Sequence, residues 1–260
     1  MRKVLLGSLV VIGFGFPVSA VAADMAAPPV YKAPPPVAAP FSWTGFYIGG
    51  DVGGAWARQD VGSIGCPTCD QAPVSGSLNG SSVIGGVYGG YNWQVAPNFV
   101  IGAEGDFSWT GLNDSATAPN LFSNGLPVGS GAVDWTRDTK WLASARARLG
   151  FTPTPNALLY VTGGAAWSGS DFTALDAFRN GCNNCGGTSF SQTKTGYAVG
   201  GGVDWAPWSN NWIFRAEYLY YHFDGVTATA NFVGSTALAA TFNWGDLSIQ
   251  EARVGVSYKF

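Results

Sequence analysis

From residue 46 onward, apolar and polar positions alternate with a period of two. In the stretch 99–109, Phe99, Ile101, Ala103, Phe107 and Trp109 share one parity, and Glu104, Asp106 and Ser108 take the other. In 141–151, Trp141, Ala143, Ala145, Ala147, Leu149 and Phe151 alternate with Ser144, Arg146 and Arg148. Phe214, Ala216, Tyr218 and Tyr220 lie opposite Arg215 and Glu217. Ala252, Val254, Val256, Tyr258 and Phe260 lie opposite Glu251, Arg253, Ser257 and Lys259. Helical spacing would mix these sets, so the pattern predicts β-strands with one apolar and one polar face. Weaker, glycine-diluted versions occupy 46–57, 82–94, 157–168 and 195–206, which makes eight strands.

The connections between them alternate in length. Residues 95–98, 153–156 and 207–211 are short; 58–81, 112–140, 169–194 and 223–246 span 24, 29, 26 and 24 residues. An even strand number with short turns on one side and long loops on the other is the signature of an outer-membrane barrel. The fold class expected is therefore all-β: an eight-stranded antiparallel up-and-down transmembrane β-barrel with four long extracellular loops and three short periplasmic turns.

The aromatics say which face meets lipid. Trp56, Trp109, Trp141 and Trp167 lie on the apolar parity beside the long loops, and Trp93, Trp205, Phe151 and Phe260 lie on it at the opposite ends. Two aromatic girdles on one face fit two membrane interfaces. Ten steps of ~3.3 Å from Trp141 to Phe151, tilted about 40°, give roughly 25 Å, the height of a barrel's apolar band. The polar parity then lines the lumen, with Asp51, Glu104, Asp106, Glu217 and Glu251 against Arg146, Arg148, Arg215 and Arg253. Asp204 falls nearer the short-turn rim. Eight strands leave room for little more than side chains, so these charges are expected to cross-link as ion pairs. Glu104 and Asp106 could be read as an acid/base pair, but the converging arginines favour a structural network.

Composition supports a lipid-facing surface. Of 260 residues, 37 are glycine and only 11% are charged, too few to cover a soluble domain. No basic cluster suggests a nucleic-acid partner. Met1-Arg2-Lys3, the apolar run to Phe16 and the small residues up to Ala23 read as a secretory signal peptide over 1–22, cleaved after residue 22 or 23. The Pro/Ala-rich stretch 23–40 reads as a periplasmic spacer, leaving 41–260 as the barrel. Glycine doublets such as Gly49-Gly50, Gly53-Gly54, Gly85-Gly86 and Gly89-Gly90 thin the lumen beside the first, second and sixth strands, where arginines are expected to fill the space.

Two CxxC pairs, Cys66 with Cys69 and Cys182 with Cys185, fall in long loops. In an oxidising compartment the plain reading is two local disulfides; cross-loop pairing would tie the first and third loops together instead. His222, the one histidine, falls at the loop end of the seventh strand beside Tyr221. A ligand-binding or catalytic role is open to it, though a rim histidine acts more often as a polar cap. No motif specifies a metal, a cofactor or an enzyme.

The stretch Phe41-Ser42-Trp43-Thr44-Gly45-Phe46-Tyr47-Ile48-Gly49-Gly50, after its spacer, resembles the start of the alphaproteobacterial porin-family outer-membrane β-barrel proteins. Ala103-Glu104-Gly105-Asp106-Phe107-Ser108-Trp109, Arg215-Ala216-Glu217-Tyr218 and Arg253-Val254-Gly255-Val256-Ser257-Tyr258-Lys259-Phe260 are similar to that family's later strands. The resemblance implies an OmpA-like eight-stranded barrel in the Gram-negative outer membrane with both termini periplasmic. It also implies that Phe260 is read by the barrel-assembly machinery. The expected function is an integral surface protein contributing to envelope integrity. The alternatives are a small porin, or a surface binder of a ligand such as haemin at loops around His222 and Tyr221.

Overall fold

The computed structural model describes residues 41–64, 71–122, 124–176, 186–208, 211–231 and 239–260. The segments expected to be leader and spacer lie outside the described residues. So do Cys66, Cys69, Cys182 and Cys185, and with them the expected disulfides. Nine strand segments form one antiparallel sheet: β1 (Gly45–Ser63), β2 (Val74–Ala96), β3 (Phe99–Leu121), β4 (Pro127–Thr154), β5 (Ala157–Asp176), β6 (Gly186–Trp205), β7 (Trp212–Phe223), β8 (Val226–Asn231) and β9 (Ala239–Lys259). Each pairs with its sequence neighbour up to β7, and β7 pairs with β9. The sheet closes because β9 zips onto β1 from Tyr47↔Lys259 to Ser63↔Phe242. β8 continues β7 along β9 after a break at Asp224-Gly225, so the barrel is eight-stranded around its girth.

The strands overrun the sequence-based bounds, and this corrects the picture of long loops. Most of 58–81, 112–140, 169–194 and 223–246 belongs to the ladder; β4 alone is 28 residues long. The cylinder therefore continues past the membrane. In β4 and β9 the alternation changes phase where the strand leaves the bilayer. Within the membrane Leu142, Ser144, Arg146 and Arg148 of β4 point inward; beyond Lys140 it is Thr139, Arg137, Trp135 and Val133. Pairing shifts at Lys140 on β4. β9 slips in the same way at Gly245-Asp246, opposite the single Asp60 of β1. Each is a β-bulge, which bends the strand and re-aims its side chains.

Trp56, Trp109, Trp93, Phe151, Trp205 and Phe260 are exposed on the outer wall, and Trp141 and Trp167 are half-exposed there. They bound the spanning segments at 46–56, 82–93, 99–109, 141–151, 157–167, 195–205, 212–222 and 249–260. Ile48, Val52, Val83, Val87, Leu149, Val161 and Val254 cover the wall between the girdles. With no water to drive them inside, these side chains are stable facing acyl chains.

Inside, apolar and polar layers alternate. At the short-turn end Trp43, Val100, Leu158, Ala206 and Ile213 form a cork, held by a Trp43 Nε1 hydrogen bond to the Pro155 carbonyl at 3.1 Å. The charged residues come next. Above them Leu142, Leu219, Tyr221, Phe223, Leu247 and Ile249 form a second apolar layer. A polar belt with Gln59, Asp114, Arg137 and Lys194 follows. The outermost apolar cluster, beyond the membrane, includes Val133, Trp135, Phe172, Phe242 and Trp244.

Candidate functional site

Side chains pointing inward from six strands meet at mid-barrel. Arg146 binds Glu104 at 2.8 Å, Asp106 at 2.9 Å and Glu217 at 3.1 Å. Arg148 donates to Asp204 at 2.7 Å and approaches Glu104 at 3.3 Å. Arg215 reaches Asp204 at 2.8 Å and Glu104 at 2.6 Å. Arg253 binds Glu217 at 2.6 Å and lies 3.3 Å from Asp51. Glu251 is the least engaged, 4.0 Å from Arg253 and without a hydrogen bond. The cross-links form because β3–β4 register sets Glu104 beside Arg146 and β7–β9 register sets Glu217 beside Arg253. Asp204, which the sequence put near the rim, is a full member of the network and buried.

Three tyrosines that sequence reasoning passed over complete this layer. The Tyr47 hydroxyl donates to Glu104 at 2.8 Å and accepts from Arg148 at 2.7 Å. Tyr160 donates to Glu217 at 3.0 Å, and the Arg148 guanidinium lies 3.7 Å from its ring centroid. Arg215 sits 4.2 Å from the Tyr88 ring centroid. Each ring occupies space vacated by a cross-strand glycine: Tyr47 faces Gly90, Tyr88 faces Gly49 and Tyr160 faces Gly202. The lumen beside the glycine-rich strands is thus filled by tyrosine as well as arginine. The signal was available, as tyrosine on the inward parity opposite glycine.

This arrangement suits cross-linking more than proton transfer. Glu104 and Asp106 share Arg146, and Asp106 also accepts from Ser144. Tyr221 and His222 point to opposite faces: Tyr221 is buried inside, while the His222 ring lies outside against Tyr197, 5.2 Å between centroids. They cannot grip one iron together, which removes the paired haemin site. His222, Asp224 and Asp246 do gather outside, with ligand atoms within 4.8 Å of one another. Asp224 and Asp246 are exposed, and acidic groups often cluster in water without an ion.

The belt beyond the membrane was not foreseen. Arg137 is buried against Asp114 and donates to Gln59 at 3.1 Å. Burial holds its guanidinium below the usual arginine range despite that carboxylate. Lys194, one residue outside the β6 span, is buried with no hydrogen-bond acceptor among the described residues. Burial, then the nearby Arg137 charge, push its ammonium down to about 8. Further out, Asp176 accepts from Gln71 at 2.8 Å and Asn120 at 2.7 Å, and burial raises its carboxyl above the ordinary range.

Residues 25–260 match the family model described as an outer membrane protein beta-barrel domain. The chain belongs to this family. Among relatives, the "31 kDa outer-membrane immunogenic protein" of Brucella melitensis is 32% identical, with 100% of both chains covered. The "25 kDa outer-membrane immunogenic protein" of Brucella canis is 29% identical over 98% of this chain and 99% of its own. Among solved structures, Neisserial surface protein A aligns at 16% identity and TM-score 0.40, covering 84% of this chain and 98% of that one. As a member of the outer-membrane barrel family, the protein resides in the cell outer membrane, where its exposed apolar wall and aromatic girdles belong.

Proposed function

We propose that the protein is a sealed structural barrel that strengthens the outer membrane and displays a rigid polar cylinder outside it. The observation that carries this is the filled lumen: a tryptophan cork, an ion-paired layer and two apolar layers succeed one another along the axis. Four guanidinia holding carboxylates on several strands tie the wall to itself, and such pairs resist separation because a lone buried charge is costly. A shallow groove of about 520 Å³ between Val52, Leu159, Tyr218 and Val254 opens onto the outer wall, away from the axis. Glu104, Asp106, Asp204 and Glu217 are each held by arginines, which favours a structural over an enzymatic role.

The outer extension carries Thr117, Asp134, Thr173, Ser189, Thr229 and Thr241 on its exposed face, several hydrogen-bonded across strands. The Brucella relatives are named as immunogenic, which fits display of this cylinder at the cell surface. Outer-membrane lipid and, through Phe260, the barrel-assembly machinery are the partners this reading requires. Planar-bilayer recordings of the refolded protein test it. A silent bilayer is the expected result, together with detergent sensitivity in cells lacking the chain; steady unitary currents would overturn it in favour of a small porin.

A further inference from the structure

The wall beyond the membrane is not closed all the way round. β6 and β7 pair up to Gly196↔Phe223 and no further. Above that point residues 186–195 of β6 pair only with β5, and β8 pairs only with β9. The two edges come within 8 Å between Cα atoms, yet no ladder joins them among the described residues. Thr188 and Phe190 on one side and Val226 and Ala228 on the other are half-buried along this slit. Behind it lie Phe172, Phe242 and Trp244, with Phe190 5.4 Å from Phe172 and 5.6 Å from Trp244 between ring centroids.

Lys194 stands at the foot of the slit, the first inward-facing residue above the last β6–β7 pair. Its Nζ is 5.3 Å from the Phe172 ring centroid. The orphan polar atoms include the donors Lys194 Nζ, Trp135 Nε1, Trp244 Nε1 and Arg137 Nε, together with the hydroxyl of Ser168, the β5 residue opposite Lys194. Arg137 is already matched by Asp114, while Asp224 and Asp246 lie exposed on the water side. A buried ammonium with no acceptor is costly, and a slit edged by Phe190, Val226 and Ala228, with Gln192 above an unmatched cation at its foot, is complementary to a molecule with an apolar chain and an anionic end.

We propose that the slit between β6 and β8 binds a single-chain anionic amphiphile of the fatty-acid class, its carboxylate on Lys194 and its alkyl chain along Phe190, Val226 and Ala228. The slit opens sideways just above the outer girdle, at the height where such a molecule would leave the outer leaflet. A carboxylate there gains a charge-assisted hydrogen bond and keeps the ammonium charged. This site is independent of whether the lumen conducts, so its failure and that of the structural reading are distinguishable.

The test uses the mature chain refolded in phosphatidylcholine nanodiscs, titrated with carboxyl-labelled palmitate and followed by carbon NMR. Heat-modifiable gel migration checks the fold of each variant. A separate bound carboxylate resonance is expected, weakened about tenfold or more in Lys194→Met and kept in Lys194→Arg. Hexadecanol should not displace it. Ala228→Trp, which blocks the slit from the opposite edge without touching the lysine, should also abolish it. Absence of the resonance in the wild type, its persistence in a folded Lys194→Met or Ala228→Trp, or displacement by hexadecanol would each overturn the proposal. Binding of lysophosphatidate in place of palmitate would overturn the carboxylate assignment and give the site to a phosphate headgroup.

Discussion

The ring of Tyr160 lies across the barrel wall against Gly202, so close that a Cβ on Gly202 would stand 2.6 Å from the tyrosine oxygen. That carbon would also meet the Ala216 carbonyl at 2.5 Å. Gly202→Ala should therefore push the ring off Glu217 and Arg148 and cost about 2 kcal/mol. Gly163→Ala, on the same pair of strands, meets nothing closer than 3.6 Å and should be tolerated. Urea unfolding of both variants in micelles checks the difference.

Arg148→Leu removes one of two arginines serving Asp204 and one of three serving Glu104. Because Arg215 remains, the loss should sit near the lower end of that for a broken buried pair, about 3 kcal/mol. Equal heat resistance of the variant and the wild type on gels would contradict the role of this network.

Glu251 gives the opposite sign. It is fully buried, and Arg253 is too far for a hydrogen bond. Glu251→Gln keeps the shape and removes a charge that is poorly compensated, so unfolding should be unchanged or shifted to higher denaturant. A marked loss of stability would show that Glu251 is an indispensable member of the network.

Alkaline pH should stabilise the outer cylinder through Lys194. Its ammonium is depressed to about 8 from the ordinary 10.5, so between those values the unfolded chain holds the extra proton, and stability rises with pH. Lys194→Met should flatten that rise. Denaturant midpoints of the two proteins across this range, measured without added amphiphile, decide it.

The membrane-spanning part was legible because lipid demands strict alternation, and every girdle residue lies on the face its parity gives. The outer cylinder was not, for two physical reasons. In β4 and β9 the alternation slips at Lys140 and at Gly245-Asp246, so a strand followed by one parity ends at the bulge. In β5 and β6 the phase holds, but the outward face changes from Val and Trp to Asp, Ser and Thr, which in sequence look like solvated loop. Trp43 was read only as part of a family motif, although its side chain closes the short-turn end. Lys194 escaped notice because nothing local announces burial of a lysine; its parity on β6 turns it inward, where its ammonium lies 5.3 Å from the Phe172 ring centroid. Asp224 and Asp246 come together only because β7 breaks where β9 slips.

Those slips give the two halves of the cylinder separate reading frames. Removing Lys140 alone would take out the extra residue and make outward Trp141 and inward Thr139 consecutive, so Trp135 and Arg137 would stay inside. A one-residue deletion above the bulge, such as that of Asp138, would instead send Trp135 and Arg137 into water and Asp134 and Thr136 into the dry interior, leaving the lipid-embedded storey correctly threaded.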